Sequence, residues 1–327
     1  MARSVLAVAL VALLAGCASA KLHGVTYNPF SKSSKQQCLE SKELDSHLKG
    51  IAKTAENIRL YSLTICPDNT RAIMKFAAKN DLGVMVGMHL TKSTMNNNKE
   101  FKMLEMLVKK YADNIVSIVV GNELVYISKM KTAKVVGYIL KAKAIVKKAK
   151  ADIMVSTAES WPYLEFNKSA KKITAAADFV CMNMQPYWEG IAADSEPGVM
   201  VNSKADVLEN IHKKEVAICG AGWPTMGEKC CNGRPRTLDG RMSVPGEKAQ
   251  SNFLADLDKA ATKSDRMYFV TEAIDGEWRR TWAPCDDCVG LTKDFGCKNK
   301  KKPECEVEYH FGFMTYSGKT KPGIKIP

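Results

Sequence analysis

The chain has 327 residues, 46% of them hydrophobic, and 48 Lys plus Arg against 35 Asp plus Glu give it a formal net charge of +13. That length and apolar share exclude a disordered or fibrous chain and leave room for one large domain with its own core. The positive excess suits acidic wall polymers or membrane surfaces; no nucleic-acid-binding module is recognisable, so no nucleic-acid partner is expected.

Arg3, the apolar stretch Val5 to Leu14 and the small-residue exit Ala18-Ser19-Ala20 form an expected signal peptide over residues 1–20, with a mature domain over 21–327. The apolar stretch is too short to span a bilayer, so no transmembrane segment is expected. Leu14-Ala15-Gly16-Cys17 also matches a bacterial lipoprotein box, which would lipidate Cys17. The even number of cysteines left without Cys17, and the glycosylation acceptor Asn167-Lys168-Ser169, favour a secreted, extracellular protein instead.

After residue 20, short apolar runs alternate with segments of helical period. The runs are His23–Tyr27, Asn57–Tyr61, Gly83–His89, Ile115–Glu123, Ile153–Thr157, Phe179–Asn183, Val216–Gly220 and Met267–Glu272. Between them, Leu44, Leu48, Ile51 and Ala55, then Phe101, Leu104, Leu107, Val108 and Tyr111, then Val135, Ile139, Ala142 and Val146 recur at the spacing of one helix face. Eight strand–helix alternations in one domain predict an α/β fold, a single (β/α)8 TIM barrel. No Gly-rich fingerprint follows the first run, which argues against a dinucleotide-binding sheet. Lys141, Lys143, Lys147, Lys148 and Lys150 read as a solvated helix face.

Ten cysteines remain after residue 20, at 38, 66, 181, 219, 230, 231, 285, 288, 297 and 305, and fit an oxidising compartment. The last four make a Cys-rich loop after the last strand, expected to hold two local disulfides, with a tetrahedral zinc knot as the alternative. Cys181 and Cys219 lie in apolar runs and are expected to be buried free thiols.

In such a barrel the chemistry sits where the strands end. Those ends carry Tyr27-Asn28, Arg59 and Tyr61, Asn122-Glu123, Glu159-Ser160-Trp161, Asn183 with Tyr187 and Trp188, Trp223, and Glu272 with Asp275, Glu277 and Trp278. Carboxylates and amides ringed by aromatic groups suit a sugar, because flat rings stack on pyranose faces and polar groups take the hydroxyl hydrogen bonds. The expected substrate contacts are therefore Tyr27, Arg59, Tyr61, Asn122, Asn183, Tyr187, Trp223, Glu272, Glu277 and Trp278.

Val120-Gly121-Asn122-Glu123, Asn183-x-x-Pro186-Tyr187, Gly222-Trp223-Pro224-Thr225 and the segment from Thr271 to Trp278 resemble the signature segments of glycoside hydrolase family 17. The resemblance runs in order from Gly24-Val25-Thr26-Tyr27 to His310-Phe311-Gly312-Phe313 and is nearest in look to fungal and oomycete members. It implies a β-1,3-glucanase or related transglycosylase, retaining, without cofactor or metal, acting as a monomer on β-1,3-glucan outside the cell or at the cell wall. It implies that Glu123 is the general acid/base and that Asn122 contacts the sugar 2-hydroxyl. The family nucleophile, a glutamate two residues before the Gly of Gly-Trp-Pro, falls on Gly220. Retention needs two carboxyl groups about 5 Å apart, and Glu215, five strand residues earlier, belongs to the other end of the barrel. A glucan-binding protein with impaired turnover is the alternative.

Overall fold

The computed structural model describes residues 21–33, 37–227, 243–281 and 306–327. Eight parallel strands, β1 (Leu22–Thr26), β2 (Ala55–Arg59), β3 (Gly83–Met88), β4 (Ile115–Asn122), β5 (Val155–Ser160), β6 (Val180–Asn183), β7 (Val216–Ala221) and β8 (Tyr268–Val270), close in sequential order into a barrel. The expected (β/α)8 architecture is therefore the observed one. Each expected run overlaps its strand, with ends displaced by a few residues at most.

The strands read as unbroken apolar runs because both their faces are covered; every residue of β7 is buried. The helices outside are amphipathic. In α1 (Ser41–Thr54) the buried positions are Leu44, His47, Leu48 and Ile51, one stripe at helical spacing. The helix α2 (Pro67–Lys79) starts on a proline, whose missing N–H costs nothing in a first turn. The helix α3 (Thr94–Tyr111) starts where the Ser93 side chain accepts from the Asn96 backbone N–H at 3.3 Å. The helix α4 (Thr132–Lys148) buries Val135, Ile139, Ala142 and Val146. Two short helices, α5 (Trp161–Phe166) and α6 (Ala170–Ala176), follow β5, while α7 (Pro197–His212) and α8 (Glu247–Lys263) cover the later strands.

A large apolar cluster fills the space between barrel and helices. A second one, with Met85, Val119, Ala158, Cys181, Ala217, Cys219 and Phe269, is drawn from alternate positions of β3 to β8 and forms the packed barrel interior. Within it Cys181 and Cys219 are joined as a disulfide with Cα atoms 5.5 Å apart, which corrects the expectation of two free thiols. The reason is register: Cys181 pairs with Ala217 across β6 and β7, so Cys219, two residues along, lies on the same inward face. A second disulfide, Cys38–Cys66, ties the segment after β1 to the start of α2. The signal segment with Cys17, and the cysteines at 230, 231, 285, 288, 297 and 305 with their disulfide-or-zinc alternative, lie outside the described residues.

The ladder is irregular where it matters. Register shifts fall between Val119 and Asn122, between Met182 and Asn183, and between Ile218 and Ala221, all toward the carboxyl ends of β4, β6 and β7. Such bulges re-aim side chains at a barrel rim.

Because the Cys181–Cys219 bond closes a 38-residue separation, its removal should release chain entropy in the unfolded state worth about 3–4 kcal/mol. The variant carrying Cys181→Ala with Cys219→Ala is expected to lose about that much in urea unfolding, and peptide mapping without reduction should recover the Cys181–Cys219 link.

Candidate active site

Alternate strands contribute to one layer of a (β/α)8 barrel, and here β2, β4 and β6 end in Arg59, Asn122 and Asn183. These three side chains bond one another across the mouth. Arg59 Nη2 donates to Asn122 Oδ1 at 2.8 Å, Arg59 Nη1 donates to Asn183 Oδ1 at 3.3 Å and to the Cys219 carbonyl, and Asn183 Nδ2 donates to Asn122 Oδ1 at 3.0 Å. Asn183 Nδ2 also donates to Glu123 Oε1 at 2.8 Å, which brings the carboxyl into the same cluster.

Neighbouring residues on a regular strand point to opposite faces, yet Asn122 and Glu123 both reach Asn183. The bulge in β4 makes this possible. Gly121 takes φ +83° and Glu123 takes φ +52°, a conformation uncommon for a residue with a side chain, and the Glu123 N–H bonds the Ala158 carbonyl at 2.7 Å. Left-handed backbone at a strand end is thus spent on aiming an acid.

Glu123 is partly buried. Burial pushes its carboxyl above the ordinary range, while the Asn183 bond and the Arg59 charge pull it down by less. A carboxyl kept protonated near neutral pH can hand its proton to a glycosidic oxygen. Behind it lies Glu159, fully buried at the end of β5, whose two oxygens accept the N–H groups of Val125 at 2.8 Å and Tyr126 at 3.2 Å. Burial is the main force that pushes Glu159 up to about 7; its backbone bonds oppose the rise and the neighbouring Glu123 adds to it. Glu159 therefore splints the loop that follows Glu123 and sets its local field.

Gly220 lies beside this cluster. It pairs with Asn183 across β6 and β7, and a Cβ built on it would stand 3.1 Å from Thr271 Oγ1, 3.2 Å from Asn183 Oδ1 and 3.4 Å from Arg59 Nη1. A side chain at 220 would thus point at the same group of atoms that holds Glu123. The other rim carboxylates are engaged elsewhere. Glu272, 2% exposed and pushed up to about 6 by burial, accepts at Oε2 from Arg279 Nη2 at 3.0 Å and from Asn28 Nδ2 at 3.4 Å, while its Oε1 is buried without a partner. Glu277 pairs with Lys32 at 3.4 Å.

Several aromatics expected at the substrate are packing groups. Tyr27 is buried with its hydroxyl on His47 Nδ1 at 2.9 Å, turned toward α1. Trp223 is fully buried, its Nε1 donating to the Val244 carbonyl, and Tyr187 packs edge-on against it. Trp278 packs edge-on against Phe30. Burial leaves these four faces unavailable for stacking. Tyr61 lies under the Arg59 guanidinium, 4.6 Å from ring centre to carbon, at the cluster's edge. Rings with open surface beyond these strand ends include Tyr126 and Trp188, in the segments after β4 and β6, and Trp161, which opens α5 after β5; Trp161 is held by a bond from its Nε1 to Glu189 at 2.9 Å. Sequence reasoning set Glu159 and Trp161 at strand ends but assigned them no role, and it missed Tyr126, Thr271 and Arg279. Glu159 carried one usable signal: it is an acid at a strand end, beside a strand ending in another acid.

A closed (β/α)8 barrel with a sheltered Asn-Glu pair at the end of β4 is a glycoside hydrolase scaffold. The BtgE/BtgC glycoside hydrolase domain model matches residues 24–287, and the chain belongs to that family. An Aspergillus flavus protein named "Probable glucan endo-1,3-beta-glucosidase btgC" is 24% identical over 294 residues, covering 85% of this chain and 39% of that protein. The chain therefore spans about two fifths of that relative's length. A Schizosaccharomyces pombe "Glucan 1,3-beta-glucosidase" is 21% identical over 238 residues, 70% of each chain. In fold, the chain matches the family 17 β-1,3-glucanosyltransferase of Rhizomucor miehei with a TM-score of 0.70 and 19% identity over 93% of this chain and 97% of that one. It matches an endo-laminarinase from Formosa Hel1_33_131 with a TM-score of 0.71 and 16% identity over 92% and 85%.

Glu159 makes a pH prediction. Its carboxyl releases a proton near 4.5 when unfolded and near 7 when folded, so through that interval the fold retains a proton the unfolded chain has lost. Stability should then fall as pH rises from about 5 to 7. Glu159→Gln should flatten that part of the pH profile of denaturant unfolding, leaving the smaller slope of the same sign due to Glu272 and Glu123. A profile unchanged by the substitution would show that Glu159 is ionised in the fold.

Proposed function

We propose that this chain is a β-1,3-glucan-directed glycoside hydrolase fold whose acid half is intact and whose nucleophile half is missing, so that glucan binding outlasts cleavage. The single observation that carries this reading is the shared cluster: the Asn183 amide holds Glu123 with its nitrogen, and its oxygen borders the place where a Gly220 side chain would begin. Glu123 is the general acid, oriented by Asn183, with its carboxyl held above the ordinary range by burial. Arg59 and Asn122 hold the Asn183 amide that orients it, the partly exposed Asn122 and Glu123 offer polar contacts to a sugar, and Tyr126, Trp161 and Trp188 offer rim surfaces for pyranose rings. A retaining reaction needs a carboxylate at position 220, where this chain has glycine.

Glu272 and Glu277 are poor substitutes: Glu272 is nearly enclosed with its Oε2 paired to Arg279, and Glu277 pairs with Lys32. Glu159 spends both oxygens on backbone amides. The names of the relatives support β-1,3-glucan as the polymer. The two described disulfides support folding under oxidising conditions, as a secreted or wall-associated protein would meet. No helix among the described residues is long and apolar enough to cross a membrane.

The test is product release from laminarin. The unaltered protein should release little, while Gly220→Glu should raise the rate by roughly 10³-fold or more, the scale on which a missing nucleophile is felt. Glu123→Gln should abolish the gain. The three polar tips that a Cβ at 220 meets at 3.1–3.4 Å are side-chain ends able to give by a few tenths of an ångström. Fast hydrolysis by the unaltered chain, lost on Glu272→Gln, would move the nucleophile to Glu272 and end this reading. A calorimetric titration with laminari-oligosaccharides should show binding to the unaltered chain.

A further inference from the structure

Asn167-Lys168-Ser169 is the one Asn-x-Ser/Thr triplet in the chain, and the glucan site makes no use of it. It forms the turn between α5 and α6, one short helix away from Trp161 at the rim. Asn167 and Lys168 are exposed. Asn167 Oδ1 accepts from the Ser169 N–H at 2.9 Å and from Ser169 Oγ at 2.8 Å, the local turn that asparagine and aspartate make with the backbone two residues on. Asn167 Nδ2 has no hydrogen-bond partner among the described residues. The turn needs the oxygen alone. Aspartate would supply it equally, with a negative charge that suits the start of α6, so the amide nitrogen has no part in holding the fold.

The residue before it is the second observation. At 70% exposure Phe166 is the most open large apolar side chain among the described residues. Its ring meets Trp161 at 6.0 Å between centres and 67° between planes, and the rest stands in solvent. A ring left open beside an acceptor amide is a platform for a sugar attached there, because the apolar face of a pyranose stacks on an aromatic face.

We infer that Asn167 carries an N-linked glycan and that Phe166 packs against its first sugar. The inference lies outside the glucan site and rests on the reading of the chain as secreted, since the donor, an oligosaccharide on a lipid diphosphate, is met on that route. Asn167 Nδ2 forms a bond to the anomeric carbon of the first N-acetylglucosamine. The bond from that carbon to the phosphate oxygen breaks, its electron pair leaves with the lipid diphosphate, and Nδ2 gives up one proton. The folded turn sets the order of events. Ser169 Oγ is shared among Asn167, the Tyr163 hydroxyl at 2.8 Å and Thr132 Oγ1 at 3.3 Å, so a transferase that reads this hydroxyl must reach it before the turn closes. Closure then leaves the substituted nitrogen outside, since the turn is held through the oxygen.

The test is expression of the full chain in a eukaryotic secretory host, with intact mass of the exported protein before and after a glycan-cleaving amidase. The unaltered chain should carry added mass that the amidase removes, leaving aspartate at position 167 in peptide mapping. Asn167→Asp keeps the oxygen for Ser169 and should be exported at the bare mass. Unaltered chain exported at the bare mass overturns the site. A chain kept inside the cell at the bare mass is expressed again behind a supplied secretory leader. Added mass at Asn167 then upholds the site and counts against the secretion reading alone; bare mass overturns the site. Thermal unfolding reads the Phe166 contact. Cleaving the glycan should lower Tm by a few degrees in the unaltered chain and by much less in Phe166→Ser, which leaves the triplet whole. The amidase leaves the same aspartate in both, so the difference reports the ring. An equal drop in both overturns the packing on Phe166.

Discussion

The hydrogen-bonded bridge from Arg59 through Asn122 and Asn183 to Glu123 is the interaction on which the rest of the mouth depends. It draws one polar group from the end of each of three alternate strands and closes them over an apolar interior containing Met85, Val119 and Phe269. A guanidinium at that depth is tolerated because its two Nη groups are aimed at acceptors that the bulged strand ends present. Removing either amide would leave Arg59 with one fewer acceptor and Glu123 with a changed orientation or none.

The same bridge explains how two carboxyls near one mouth come to face different partners. Glu123 and Glu159 are both raised by burial, but Glu159 faces backbone N–H groups below the loop, and Glu123 faces an amide at the mouth. One acts as a splint and the other faces the mouth of the barrel. The division arises from which strand each ends and how far the bulge turns it, with side-chain chemistry held constant.

The barrel was legible because a parallel sheet buried on both faces writes long apolar runs, and because helices such as α4 repeat Val135, Ile139, Ala142 and Val146 with little ambiguity. Glu123, Asn183 and Arg59 were legible as polar residues at strand ends. What the chain order could not convey was which way a strand-end ring turns. Tyr27, Tyr187, Trp223 and Trp278 sit where platforms were expected, yet local turns carry them into the packing, while Tyr126 and Trp161 keep open surface. The Cys181–Cys219 bond was hidden for a related reason. Each cysteine looks like a small apolar residue in its own run, and the pairing exists only once β6 and β7 are set side by side in register.

That bond also constrains when the chain can be finished. Cys181 is 1% exposed and Cys219 is fully enclosed, so in the closed barrel neither an oxidant nor a small thiol reaches the sulfurs. The link must be made while β6 and β7 are adjacent and the barrel is still open. Whatever supplies the oxidising equivalents therefore acts on an unfinished chain, and a barrel that closed with both thiols reduced would have to reopen before it could be corrected.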